Sequence, residues 1–276
     1  MVPFGARLRA AMAERGQLCV GIDPHPALLH AWGLGDDPAG LESFALLTVE
    51  AMAGEVAAVK PQSAFFERHG SRGIAVLERV ISAGRDAGLI VILDAKRGDI
   101  GSTVQAYADA YLDHRSPLAV DAITAHPFLG FGSLDPLFDT ALEHGGGVFV
   151  LALTSNSEGA EVQGARSDAG TTVAGSVLRQ IAVRNAGAEP LGSIGAVIGA
   201  NLDRIDEDLA INGPILAPGL GAQGGSPAGL AKLFGAAWPN VLATTSRDVL
   251  AAGPDQRALR DKAASVAADL AALRRL

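Results

Sequence analysis

Residues 89–103 read Leu89-Ile90-Val91-Ile92-Leu93-Asp94-Ala95-Lys96-Arg97-Gly98-Asp99-Ile100-Gly101-Ser102-Thr103. The apolar run that opens this segment consists of branched residues, which is typical of a parallel strand buried on both faces. A helical pattern begins near Gly101. The charged residues therefore lie where a buried strand ends.

Asp94 and Lys96 are two residues apart, so a strand directs both side chains to the same side. Removing either charge from water alone would be costly, and we therefore expect the two groups to be paired. A structural ion pair that closes the strand is one interpretation. Asp99 and Thr103 extend the pattern beyond such a pair.

The whole pattern, Asp-x-Lys-x-x-Asp-Ile-x-x-Thr over residues 94–103, resembles the signature of the orotidine 5′-monophosphate decarboxylases, which carry it at a strand-to-loop junction. The resemblance implies an enzyme that converts orotidine 5′-monophosphate to UMP in pyrimidine biosynthesis. It also implies that neither a metal ion nor an organic cofactor is needed.

Length and composition favour one globular unit. A chain of 276 residues can bury one large core, and we expect a single domain, residues 1–276. The net charge of −8 argues against a nucleic-acid or anionic-membrane surface but allows a local cationic pocket. Cys19 is the only cysteine, so no intrachain disulfide can form. No apolar run reaches the length of a membrane span, and we interpret the protein as cytoplasmic.

Apolar runs alternate with helical patterns along the chain, which indicates a parallel sheet with helical crossovers. The predicted strands are 18–22, 56–59, 89–93, 119–124, 147–153, 195–200, 214–217 and 241–244. The predicted helices are 4–15, 41–54, 74–87, 102–114, 134–143, 172–186, 203–209, 228–234 and 256–276. This order predicts an α/β fold, a closed (β/α)8 TIM barrel. An open doubly wound sheet is less favoured because no Gly-x-Gly-x-x-Gly motif follows the first strand.

Polar side chains follow the first four predicted strands, on the face where barrel enzymes carry their chemistry. They are Asp23, Lys60, Gln62, Asp94, Lys96, Thr124 and His126. We interpret His126, like Cys19, as structural. In the family that the motif resembles, a lysine after the second strand joins an alternating Lys-Asp-Lys-Asp network. Here the network would be Lys60, Asp94, Lys96 and Asp99.

The resemblance implies that Lys96 protonates the C6 carbanion within this network. It further implies a homodimer in which Asp99 and Thr103 are contributed across the interface.

A glycine-rich loop follows the seventh strand and reads Pro218-Gly219-Leu220-Gly221-Ala222-Gln223-Gly224-Gly225. Its glycines would let backbone N–H groups turn toward an anion. Arg247 follows the eighth strand and suits a phosphate dianion, and loops seven and eight are the usual phosphate site of this barrel. The resemblance implies that Gln223 and Arg247 contact the 5′-phosphate.

Residues 154–170 form a long irregular segment after the fifth strand, and we predict a mobile cover over the site. A serine here recognises the pyrimidine in the family; Ser155 is the first choice and Asn156 the alternative. The Thr154-Ser155-Asn156 form and the long insertion look like the second bacterial subgroup. The substrate-binding residues that the resemblance implies are Asp23, Thr103, Ser155, Asn156, Pro218, Gln223, Gly224 and Arg247.

Three other functions fit part of this pattern. A Mg²⁺-dependent sugar-phosphate lyase or synthase of the same superfamily shares Asp-x-Lys-x-x-Asp but has an acidic residue where Lys60 stands, and a cation there would repel the metal. A Schiff-base aldolase would need one desolvated lysine without flanking carboxylates. A non-enzymatic phosphoribosyl-binding barrel would keep Arg247 and the glycine-rich loop but would not need the four charged groups.

Overall fold

Eight parallel strands close into a barrel in which each strand pairs with the next and the eighth pairs with the first. The computed structural model describes residues 1–221 and 224–273. The strands are β1 Leu18–Ile22, β2 Ala58–Pro61, β3 Ile90–Arg97, β4 Ala122–Ala125, β5 Gly147–Leu153, β6 Ile194–Ile198, β7 Ile215–Pro218 and β8 Val241–Thr245. The predicted (β/α)8 barrel is confirmed.

Helices connect and surround the strands. They are α1 Phe4–Arg15, α2 Pro26–Ala31, α3 Pro38–Met52, α4 Ser63–Glu67, α5 Gly70–Asp86, α6 Gly101–Leu112, α7 Asp135–Glu143, α8 Gly159–Gln163, α9 Val173–Arg184, α10 Pro227–Phe234, α11 Arg247–Leu250 and α12 Gln256–Ala272. Several begin at a polar cap that satisfies the first N–H groups, such as Asp37 before α3 and Ser226 before α10.

The barrel interior is filled by alternate residues of its strands, because successive side chains point to opposite faces. They are Cys19, Ala58, Ile90, Ile92, Ala122, Phe149, Val197, Leu216 and Leu242. Helix α1 adds buried Phe4, Leu8 and Met12 to this cluster, and the Phe4 ring meets the Phe149 ring edge-on at 5.8 Å. This apolar packing occupies the N-terminal end of the barrel and leaves the chemistry to the C-terminal end.

The predicted helix at 203–209 is wrong, since these residues form turns and irregular backbone. The segment is rich in acidic residues, which favour local hydrogen bonds over helix. Asp208 Oδ1 accepts from the Ala210 N–H, and Arg204 pairs with Asp206. Glu207 instead accepts from the Thr172 hydroxyl at the start of α9. Side-chain contacts thus replace the helix that periodicity suggested.

Three further differences concern short elements. Helices α2, α4 and α11 were not predicted, and α8 lies inside the segment 154–170 that the sequence left irregular. Lys60 belongs to β2 itself rather than following it.

Within the described part of the chain, no helix has both the length and the apolar character to cross a bilayer.

Candidate active site

Lys60, Asp94 and Lys96 meet at the C-terminal end of the barrel. Lys60 Nζ lies 2.9 Å from Asp94 Oδ2, and Lys96 Nζ lies 2.6 Å from Asp94 Oδ1. Lys60 and Asp94 are buried, with 5% and 8% of their surface exposed, whereas the Lys96 side chain is 47% exposed. The expected convergence of these three groups is confirmed, and the Lys96 side chain is the most exposed of the three.

Two neutral side chains complete the environment of Asp94. Gln62 Nε2 donates to Oδ2 at 3.0 Å, and the Thr124 hydroxyl donates to Oδ1 at 2.9 Å. Each carboxylate oxygen therefore accepts from one ammonium and one neutral donor. Gln62 lies two residues after Lys60, so the period of the strand could have indicated the direction of its side chain. Thr124 was expected at the same face of the barrel, but nothing in the sequence identified it as a partner of Asp94.

Electrostatics keep Asp94 and Lys60 ionised at neutral pH. Burial alone would raise the pKa of Asp94, but the ammonium groups of Lys60 and Lys96 outweigh it and hold that pKa far below the ordinary carboxyl value. Burial would likewise lower the pKa of Lys60, but the charges of Asp94 and Asp23 outweigh it and raise the pKa. The Asp94 carboxylate is therefore charged and is held in place by its two ammonium partners.

A cavity of about 720 Å³ extends from Lys60 toward Arg247. Asp23 and Pro218 also line it, as do the ends of β7 and β8. Several oxygens around it are buried and have no hydrogen-bond partner among the described residues: Asp23 Oδ1, Thr245 Oγ1 and Ser246 Oγ. Buried polar atoms without partners are costly, so this cavity is suited to a polar ligand. No role was expected for these hydroxyls.

The glycine-rich loop is held by hydrogen bonds within the backbone, and its role toward a phosphate stays a prediction. Several of its N–H groups donate to backbone carbonyls: those of Gly219, Leu220, Gly221, Gly224 and Gly225. Gly224 adopts a φ of 97°, a conformation that favours glycine. Gln223 lies outside the described residues. Among the described residues, Arg247 is the cationic side chain that lines the cavity beside this loop.

Asp99 and Thr103 do not join the cluster within this chain. Asp99 Oδ1 accepts from the Ile100 N–H at 2.8 Å, just before α6, and Thr103 is exposed in the first turn of that helix. Their role stays a prediction. Nearby, Ile100 is 61% exposed, and Phe128 and Leu129 on the loop after β4 are 74% and 51% exposed.

Ser155 and Asn156 follow β5 and are both exposed. The Asn156 side chain accepts from the Thr154 hydroxyl at 2.6 Å and donates to Glu158 at 3.0 Å. Ser155 packs next to Gly199 at the end of β6. Because the amide of Asn156 is engaged within its own loop, Ser155 is the better placed of the two for a ligand.

Gly98 makes a close contact that a larger residue would prevent. A Cβ at this position would lie 2.5 Å from His126 O and 2.7 Å from His126 Cε1, and the His126 N–H is bonded to Arg97 O. Gly98→Ala is therefore expected to displace the segment after Lys96 and to lower kcat/KM about 10- to 100-fold. Steady-state kinetics on the candidate substrate test this.

Gly146→Ala is the matched control. Gly146 precedes β5, at the opposite end of the barrel, and a Cβ there would meet its nearest atoms at 3.4 Å, an ordinary contact. Equal activity in the Gly98→Ala and parent proteins would contradict this reading of the loop.

Within the described residues, no group of three or more His, Cys, Asp or Glu side chains is arranged to hold a metal ion. Asp94 is the one buried carboxylate of the Lys60 and Lys96 cluster, and both its oxygens already accept two hydrogen bonds.

Comparison with known proteins adds to this geometry. Residues 16–261 match the model of the orotidine 5′-phosphate decarboxylase / HUMPS family. A Nocardioides protein named orotidine 5′-phosphate decarboxylase is 68% identical over 253 residues, which cover 91% of this chain and 92% of the relative. A Salinispora arenicola protein of the same name is 63% identical over 270 residues, 98% of this chain and 97% of the relative.

Solved structures agree with these relatives. A crystal structure from Streptomyces avermitilis, assigned as an orotidine 5′-phosphate decarboxylase, has a TM-score of 0.98 and 57% identity and covers 100% of this chain and 97% of its own. The OMP decarboxylase of Leishmania donovani has a TM-score of 0.79 and 29% identity, with 100% of both chains covered.

Proposed function

This chain belongs to the orotidine 5′-phosphate decarboxylase / HUMPS family, and we propose that it converts orotidine 5′-monophosphate to UMP and CO2 in pyrimidine biosynthesis. The observation that carries the proposal is the cluster of Lys60, Asp94 and Lys96, of which Lys60 lines a cavity that reaches Arg247. A nucleotide bound along this cavity would place its phosphate at Arg247 and its base at the ammonium of Lys96.

The ligand contacts follow from this orientation. Arg247 and Gln223 hold the 5′-phosphate, together with Pro218 at the start of the glycine-rich loop and Gly224 near its end. Asp23 serves the ribose, because its buried oxygen lacks a partner among the described residues and its cavity position lies next to Lys60. Ser155 reads the pyrimidine edge, and Asn156 supports the loop that carries it.

The reaction is demanding because the carbanion at C6 lies in the ring plane, where the π system cannot delocalise it. Such slow reactions ask an enzyme for on the order of 20 kcal/mol of barrier reduction, and contacts to the phosphate and ribose must contribute to it. The bond from C6 to the carboxylate breaks, its electron pair stays on C6, and CO2 departs. The Lys96 ammonium stabilises this pair and donates the proton that forms the C6–H bond.

The other charges prepare this step. Asp94 lies against the departing carboxylate and orients Lys96, and Lys60 holds Asp94 in place from the buried side. These groups are fixed before the substrate arrives, so little reorganisation is needed as charge develops.

The working unit is a homodimer in which Asp99 and Thr103 serve the partner's site. Asp99 accepts a hydrogen bond from the Ile100 N–H and Thr103 is exposed, and the charge of Asp99 would complete the Lys-Asp-Lys-Asp alternation. The exposed Ile100, Phe128 and Leu129 supply apolar surface on the same rim, as an interface between two copies would need.

Mixed dimers test the shared site. Lys96→Ala and Asp99→Ala chains are each expected to be nearly inactive alone, yet a co-expressed or co-refolded equal mixture should regain about a quarter of the parent activity. Half of the dimers would be mixed, and one of the two sites in each would be intact. A mixture no more active than its components would contradict a site shared in this way.

The assay for the function is loss of orotidylate absorbance with the purified protein in excess EDTA. The proposal expects turnover at the same rate with and without the chelator. No turnover under either condition, together with UMP binding, would favour a non-enzymatic nucleotide-binding barrel. Turnover that EDTA abolishes would favour the Mg²⁺-dependent alternative, which Lys60 disfavours because its cation lies where that chemistry needs an acidic ligand.

The same proposal includes a cytoplasmic location and one domain spanning residues 1–276, as the sequence led us to expect. The negative net charge of −8 is compatible with a nucleotide held in a local cationic pocket.

A further inference from the structure

Thr124 lies opposite an irregularity in the barrel wall. Pairing between β3 and β4 joins Leu93 to Ile123 and then Arg97 to Ala125. Three residues of β3 therefore face the single residue Thr124 of β4. Bulges of this kind occur next to active sites, where they re-aim a side chain.

Lys96 lies within this bulge and has an unusual backbone conformation. Its φ is 47°, in the left-handed region that residues with a Cβ rarely adopt. The Lys96 N–H donates to Thr124 Oγ1 at 2.9 Å, so a side chain of the neighbouring strand takes the place of a backbone acceptor. A conformation of this kind persists only when its surroundings hold it.

The same hydroxyl also binds the carboxylate. Thr124 Oγ1 lies 2.9 Å from Asp94 Oδ1, and because an ionised carboxylate only accepts, the hydroxyl hydrogen is directed to Asp94. Asp94 Oδ1 in turn accepts from Lys96 Nζ at 2.6 Å. The backbone of Lys96, the hydroxyl, the carboxylate and the ammonium of Lys96 thus form a closed ring of hydrogen bonds.

We propose that Thr124 is a positioning residue for the decarboxylation: its hydroxyl fixes the backbone of Lys96 and the carboxylate of Asp94 together, so that the ammonium is aimed at one point in the barrel mouth. Thr124 is only 1% exposed, and it acts through its two neighbours rather than by touching the substrate. This inference rests on the proposed function.

Thr124→Val tests it, because valine keeps the size and branching of threonine and removes both hydrogen bonds. We expect kcat to fall about 10- to 100-fold while KM and the Kd for UMP change by less than about threefold, since the aim of Lys96 is lost and the nucleotide contacts are kept. Thr124→Ser retains the hydroxyl and is expected to return kcat to within about fivefold of the parent value.

Thr48→Val is the matched control. Thr48 is fully buried, and its hydroxyl bonds the Phe44 carbonyl within α3, away from the cluster. This variant should keep the parent kcat. If Thr124→Val does not fold, Thr124→Ala and Thr124→Ser can be compared instead. Both variants lack the methyl group of threonine, and only the serine variant keeps the hydroxyl.

The inference would be overturned by a Thr124→Val protein with parent kcat, or by a serine variant as slow as its hydroxyl-free counterpart. Either result with an active parent protein leaves the proposed function intact. A parent protein that does not consume orotidine 5′-monophosphate would instead remove the function on which the inference rests.

Discussion

Lys96→Ala is expected to lower kcat by at least about four orders of magnitude, because one side chain supplies both the charge that stabilises the C6 carbanion and the proton that quenches it. UMP should still bind with a Kd within about tenfold of the parent value, since Arg247 and the rest of the cavity remain. Single-turnover consumption of orotidine 5′-monophosphate and equilibrium titration with UMP measure the two effects separately.

Lys232→Ala is the matched control, because Lys232 is one of the other three lysines of the chain and is exposed on α10. It should leave kcat unchanged. A Lys96→Ala protein that retains more than about 1% of the parent kcat would refute the assignment of Lys96 as the proton donor.

Asp94→Asn is expected to lower kcat by about three orders of magnitude or more, because two ammonium groups would lose the anion that they share. The amide offers one acceptor oxygen and presents its own N–H groups to donors. Breaking a buried ion pair by removing one partner typically costs about 3–5 kcal/mol, and the free energy of unfolding should fall by an amount of this order. Kinetics and urea unfolding at neutral pH measure both effects.

The stability effect of Asp94 should depend on pH in a defined direction. Since the folded protein holds the pKa of Asp94 below its ordinary value, the charged carboxylate stabilises the fold fully above that ordinary value and progressively less as the pH falls below it. The difference in unfolding free energy between the parent and Asp94→Asn should therefore narrow between pH 6 and pH 3. Asp86→Asn, on the exposed side of α5, serves as the control, and a difference that widens on acidification would contradict the assigned charge state.

The fold was largely predictable because its signals are local and repeated. Each buried strand is a short run of branched apolar residues, and several helices have a clear hydrophobic period, as α5 has with its buried Val76, Leu77, Val80 and Ile81. The exception at 203–209 has half-buried apolar residues at helical spacing but acidic neighbours that bind local backbone and a distant threonine. Those contacts depend on where α9 lies, which periodicity does not report.

The cluster was predictable in part for a related reason. The spacing of Asp94 and Lys96 could be read from the strand period, and the resemblance added Lys60. The contributions of Gln62 and Thr124 depend on the register of neighbouring strands, and the left-handed conformation of Lys96 depends on the bulge opposite β4. The internal hydrogen bonds of the glycine-rich loop were likewise hidden, because glycine permits several loop conformations.

A crystal structure of the protein with UMP would test the central claim most directly. We expect Lys96 Nζ within about 3.5 Å of C6, a distance that permits direct proton transfer, with the phosphate against Arg247. UMP bound with its C6 more than about 6 Å from Lys96, or with its phosphate at the lysine cluster, would contradict it.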